Sequence, residues 1–271
     1  MGYSINKIIN IAKNLIFVPK CVACDERLSP IPDKFGSTYG KICFCSKCEE
    51  KWKSAIAETC AVCSCTSEKC RCNLDFFIKR QPRVPSVCFY HPNPNDVASK
   101  AILTMKRVNT SDLFCLAAIE LYPKIRSMLN EMGISENECI FTWMPRKRSS
   151  IVKYGFDQGE ELASALAKMF NSYHCSLFIH LGRKEQKHLD KQERGVNAEA
   201  SIILNSALLS SRIKTTDKDI YAFLEGKKVI IIDDVLTSGA TLTHGVKLLE
   251  GAGAEKVMVA CVAKSVIDTK I

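Results

Sequence analysis

Val229-Ile230-Ile231-Ile232-Asp233-Asp234-Val235-Leu236-Thr237-Ser238-Gly239-Ala240-Thr241 joins four β-branched residues directly to two acids and a small, hydroxyl-rich turn. Leu242, Val246, Leu248 and Leu249 follow at helical spacing. An apolar run, a polar turn and an amphipathic helix in succession mark a buried parallel strand feeding a helix. The turn therefore falls at the carboxyl end of a strand, where open α/β sheets bind ligands.

The residue types of the turn favour a sugar phosphate. Thr237, Ser238, Gly239, Ala240 and Thr241 are small enough for backbone N–H groups to close on a phosphate. They also open a helix, whose N-terminus carries partial positive charge and unpaired N–H groups. Asp233 and Asp234 would repel a phosphate, but they suit the ribose 2′ and 3′ hydroxyls, as acceptors or through Mg²⁺. The block resembles the signature with which type I phosphoribosyltransferases bind phosphoribosyl pyrophosphate (PRPP). It lacks the GxxxxGK[ST] pattern of a P-loop. Gly251-Ala252-Gly253 follows a helix instead of opening one, so it is no dinucleotide fingerprint.

The chain has 271 residues, enough for one large domain or two smaller ones, and its 46% hydrophobic content is ordinary for a globular protein. A net charge of +9 fits a phosphate-rich partner, nucleotide or nucleic acid. No apolar run approaches the length of a membrane span. Asn6, Lys7, Asn10, Lys13 and Asn14 interrupt the start, so it does not read as a signal peptide. A cytoplasmic protein is expected.

Of the 15 cysteines, ten lie between Cys21 and Cys72. Cys21/Cys24, Cys45/Cys48 and Cys60/Cys63 are CxxC knuckles, and Cys70/Cys72 closes the series one residue short. Tetrahedral Zn²⁺ takes four thiolates, and a segment this short has little apolar surface to bury. Pairing successive knuckles gives Cys21, Cys24, Cys45 and Cys48 for one site and Cys60, Cys63, Cys70 and Cys72 for a second. Cys43 and Cys65 are spare candidates. One or two structural Zn²⁺ ions are expected, with no open position for catalysis. Cys88, Cys115, Cys139, Cys175 and Cys261 sit among apolar neighbours and read as core residues.

Residues 1–19 read as an amphipathic helix ended by Pro19, residues 20–78 as a double zinc ribbon, and residues 86–271 as the α/β domain. The proline-rich stretch 79–95 is the boundary. Ser86–Tyr90 reads as a strand and residues 96–108 as a helix carrying Lys100, Lys106 and Arg107. Asp112 is the expected N-cap of a helix reaching Met132, with a kink at Pro123. Residues 139–145 form a strand ending in the basic cluster Arg146-Lys147-Arg148, well placed for a pyrophosphate. A helix follows from Gln158 to Phe170. Residues 174–181 read as another strand, and 201–204 as an edge strand. The polar stretch between them holds Arg183, Lys184, Lys187 and Arg194, candidates for a lid or pyrophosphate contact. Lys256–Ala263 is the last strand. The alternation of strands and helices predicts a parallel sheet with helices on both faces.

From about residue 15 to 265 the chain resembles the ComF/GntX family, known for competence proteins of DNA uptake. The resemblance rests on Phe17-Val18-Pro19-Lys20-Cys21, the double knuckle set, the Arg146…Phe156-Asp157-Gln158 segment, the Gln186…Asn197 segment and the final Asp-Asp-Val-Leu-Thr-Ser-Gly-Ala-Thr. Three positions depart from the pattern: Asp157 where Asn is usual, Cys70/Cys72 where CxxC is usual, and Met144 before Pro145. Leu236 stands where purine-salvage relatives carry an acid.

The resemblance implies a type I phosphoribosyltransferase-like domain with PRPP phosphate on Thr237–Thr241 and ribose on Asp233 and Asp234. Mg²⁺ would bridge ribose and pyrophosphate, while Arg146, Lys147 and Arg183 or Lys184 take up charge on the departing pyrophosphate. The acceptor stays open. Two functions of different class follow. One is PRPP-dependent transfer to an unknown acceptor. The other is non-catalytic handling of single-stranded DNA during uptake, with a helicase or other uptake partner, by a protein that keeps the phosphate pocket.

Overall fold

The computed structural model describes residues 19–28, 43–72, 74–181, 201–205 and 219–266. The helix expected over 1–19 and the stretch with Arg183, Lys184, Lys187 and Arg194 lie outside them, apart from Pro19. In chain order the described elements are α1 (Ser46–Ala57), α2 (Phe76–Lys79), β1 (Ser86–Tyr90), α3 (Val97–Arg107), α4 (Ser111–Glu131), β2 (Cys139–Trp143), α5 (Arg148–Tyr154) and α6 (Gln158–Met169). Then come β3 (Tyr173–His174), β4 (Phe178–His180), β5 (Ile202–Leu204), α7 (Asp219–Leu224), β6 (Lys228–Leu236), α8 (Ala240–Gly251) and β7 (Lys256–Ser265).

Five strands form one sheet in the order β1-β7-β6-β2-β3, with every pairing parallel. Strand β6 is central and buried on both sides. Successive side chains of a strand point to opposite faces. Ile230 and Ile232 accordingly join Met258, Ala260 and Val262 under α3, α4 and α6. Val229 and Ile231 join Val257, Val259 and Cys261 under α7 and α8. All four β6 residues are fully buried, each stabilising by about 1.5–3 kcal/mol.

Some expectations shift. Helix α4 runs through Pro123, and Thr110 holds its N-cap position while Asp112 sits in the first turn, where its charge suits the helix dipole. Residues 174–181 are not one strand. Tyr173 and His174 pair with β2, and the chain then turns so that Phe178–His180 pairs antiparallel with Ile202–Leu204 in a separate hairpin. Phe178 and Ile202 face the α8 side of the core, and His244 of α8 lies 2.9 Å from the Ile202 carbonyl. Cys115 is no core residue. It is exposed on the outer side of α4, whereas Cys88, Cys139 and Cys261 are buried.

The cysteine-rich part is packed onto this scaffold. Cys21, Phe44, Cys48 and Trp52 share the core of α3 and α4. Thr104 Oγ1 of α3 donates to the Val22 carbonyl at 3.4 Å. Among the described residues no helix is long and apolar enough to cross a membrane.

Gly159 marks the tightest approach of α6 to β2. A Cβ there would lie 2.9 Å from Trp143 Cβ and Cδ1. Gly159→Ala is expected to lower stability by about 1–3 kcal/mol, read as a lower urea midpoint. An unchanged midpoint would show that α6 can move away from Trp143 at little cost.

Candidate functional site

The parallel sheet puts the ends of β2 and β6 side by side, with Trp143 opposite Ile232. The helices that follow them leave to opposite faces, since α6 packs with α4 and α8 packs with α7. That divergence opens a crevice beyond the strand ends, the usual ligand position in open α/β sheets.

One wall is the β6–α8 turn. Thr237, Ser238 and Thr241 are exposed, and Ser238 Oγ accepts from Ala240 N at 3.4 Å. Gly239 has a left-handed φ of 81° at the start of α8, a conformation other residues adopt only at a cost. A Cβ there would also meet Ile78 Cδ1 of α2 at 2.7 Å. The first N–H groups of α8 have no intrahelical acceptors and face the turn.

The acids sit at the floor. Asp233 Oδ1 accepts from Asp234 N at 2.8 Å. Burial, and then the neighbouring Asp234 carboxylate, push Asp233 up to about 8. Asp234 Oδ2 accepts from Gln158 Nε2 at 3.1 Å and lies 3.4 Å from Lys106 Nζ. Lys106 joins the site from the last turn of α3, a role its place among three basic residues of one helix did not single out.

Arg146 forms the opposite wall. Its guanidinium stacks over Tyr154, 4.5 Å from the ring centroid, and donates to the Lys106 carbonyl at 2.5 Å. Its Nη1 and the Gln158 Oε1 are buried without a partner among the described residues. Asp157 holds this wall in place. Its two oxygens accept from Arg146 N at 3.0 Å and Gly159 N at 2.9 Å. Asn would offer only one such oxygen, so the carboxylate is what lets residue 157 take both N–H groups. Burial pushes the Asp157 carboxyl up, and those N–H bonds pull it partly back. Lys147 is exposed at the start of α5, with no contact to the acid pair among the described residues.

The cysteines converge as two groups. Cys21, Cys24, Cys45 and Cys48 form one, and Cys60, Cys63, Cys70 and Cys72 the other, with all sulfurs of a group within 4.8 Å of one another. Cys24 and Cys45 Sγ are 3.6 Å apart. Four thiolates at about 2.3 Å around one tetrahedral ion would lie about 3.8 Å from each other, so the arrangement fits zinc. The short Cys70/Cys72 spacing completes the second group. Cys43 and Cys65 stand outside both, and burial pushes the Cys43 thiol up to about 12.

Metal analysis of the purified chain is expected to give two Zn per molecule. A value of one would leave one group without a metal. Cys63→Ser against Cys24→Ser would then show which.

Residues 157–270 match the phosphoribosyl transferase domain family. A stretch of 51 residues, 19% of this chain, is 39% identical to transcriptional regulator GfcR of Methanocella arvoryzae. The match spans a quarter of that relative's length. Among solved structures, a glutamine PRPP amidotransferase from B. subtilis, complexed with ADP and GMP, aligns over 59% of this chain and 30% of its own. That alignment has 16% identity and a TM-score of 0.34. An allosteric regulatory enzyme of purine biosynthesis aligns over 68% and 29%, with 18% identity and a TM-score of 0.31. Asp233, Asp234 and the turn to Thr241 all fall inside the stretch 157–270 that matches the phosphoribosyl transferase domain family.

Proposed function

We propose that the crevice binds PRPP and that the chain transfers its phosphoribosyl group to an acceptor. The observation that carries this reading is the acid pair at the divergence of α6 and α8, followed at once by the glycine-started helix. The 5-phosphate sits on the N–H groups and hydroxyls of Thr237–Thr241. Asp233 and Asp234 accept from the ribose hydroxyls. Two crowded carboxylates also suit Mg²⁺, which would supply charge neutralisation on the pyrophosphate. Arg146, with an unpaired Nη1, faces the pyrophosphate side. Lys147, Arg183, Lys184, Lys187 and Arg194 are the further cations for it. In transfer, the bond from C1′ to pyrophosphate breaks as a nucleophile bonds C1′, and pyrophosphate leaves with the electron pair. Fixed cations stabilise that leaving charge.

A ComF-like role in DNA uptake is the second reading. Lys147, Arg148 and Lys153 are exposed on or beside α5, and Lys153 and Arg146 both lie over the Tyr154 ring. The partial match to a protein named as a transcriptional regulator also favours a binding role without turnover. The grouping of eight cysteines in two sets of metal-ligand spacing, in place of a disulfide frame, supports a reducing compartment such as the cytoplasm.

Calorimetric titration of PRPP with Mg²⁺ tests the first reading. The wild type is expected to bind, and Asp233→Asn/Asp234→Asn to lose about 100-fold in affinity, since hydrogen bonds to charged groups contribute about 1.5–3 kcal/mol each. No heat with the wild type removes it. Single-stranded oligonucleotide affinity that falls steeply with salt supports the second reading, and a flat response removes that one.

A further inference from the structure

The second cysteine centre borders the ligand turn. Cys60, Cys70 and Cys72 share a cavity of about 20 Å³ with Leu236, Thr237 and Lys264, room for about one water. Lys264 pairs with Leu236 across β7 and β6. Its side chain is buried, and Nζ donates to the Cys70 carbonyl at 2.9 Å. The chain leaving Cys72 reaches Asp75, whose Oδ1 caps α2 by accepting from Phe77 N at 2.9 Å. Ile78 of α2 then seats against Gly239. Helix α2 is also tied to α8, through Arg80 with Glu250 and Lys247 Nζ over the Phe77 ring at 4.7 Å.

We propose that the second cysteine centre is a positioning element of the ligand site: the metal held by Cys60, Cys63, Cys70 and Cys72 fixes the Leu236–Gly239 turn through Lys264 and the Asp75–Ile78 segment. The cysteine loops bury little apolar surface of their own. Their described ties include Ser67 Oγ to the Ser86 carbonyl, Arg71 to the carbonyls of Lys79, Gln81 and Pro82, and Glu68 to Val84 N, Arg83 and Lys124. Those ties hold Ser67 to Arg71, and four metal bonds would add the constraint that fixes Cys60, Cys63 and Cys72 relative to Cys70. A Zn²⁺ ion with four thiolates carries a net double negative charge, and the buried ammonium of Lys264 is placed to offset it. Removing the metal frees Cys70 from Lys264 and loosens the support under Gly239. The first centre packs on α3 instead, and none of its cysteines lines this cavity.

Hydrogen exchange of the full chain tests this without any ligand. Cys63→Ser, with one zinc lost, is expected to speed exchange over residues 236–241 by about tenfold, a coupling of ordinary size. Amides of β2 should stay protected. Lys264→Met keeps all four cysteines and should show the same local change. It carries the test if the Cys63 variant does not fold. Unchanged exchange over 236–241 in the folded variants overturns the proposal. A second arm rests on the PRPP reading: ribose 5-phosphate should slow chelator removal of one zinc, and Lys264→Met should abolish that protection. Absence of ribose 5-phosphate binding to the wild type defeats the PRPP reading, while the exchange result still decides the proposal.

Discussion

Strand β6 has no solvent face. Val229 to Ile232 are packed from both sides, so the sheet has to be covered by helices on each face, and the chain turns polar where that cover ends. The strands are parallel, so their carboxyl ends meet at one edge of the sheet. Asp233 and Asp234 sit there because β6 outlasts β2 in that direction, with Trp143 opposite Ile232. The opposite departures of α6 and α8 leave the acids beyond the strand ends, the usual ligand position in open α/β sheets.

Charge around the acids is balanced closely. Asp234 is held by Gln158 and Lys106, while burial and Asp234 keep Asp233 at the upper end of the carboxyl range. Arg146 cannot simply move across to neutralise the pair. It is stacked on Tyr154 and bonded to the Lys106 carbonyl, and its backbone N–H is taken by Asp157. These contacts fix the walls around the acid pair before any ligand is present.

Much of this was legible in the chain because it is local. The four β-branched residues, the acids and the small turn are contiguous, and CxxC spacing states a ligand set directly. The Cys70/Cys72 pair completes its group despite the missing residue, since two loops can adjust where four sulfurs must meet. Lys106 was not legible as a site residue. It belongs to a helix with other basic residues, and only the packing of α3 beside β6 brings it to Asp234. The run from His174 to Leu181 misled for a physical reason. Its apolar residues serve two surfaces, the edge of β2 and the α8 side of the core, with a turn at Ser176 and Leu177 between them.

The first cysteine group packs on α3, which delivers Lys106, and the second borders the turn after β6. Backbone amide NMR with ribose 5-phosphate would locate the phosphate. The largest shifts are expected at the amides of Ser238, Gly239 and Thr241. Binding that leaves those amides unmoved while others shift would contradict that placement.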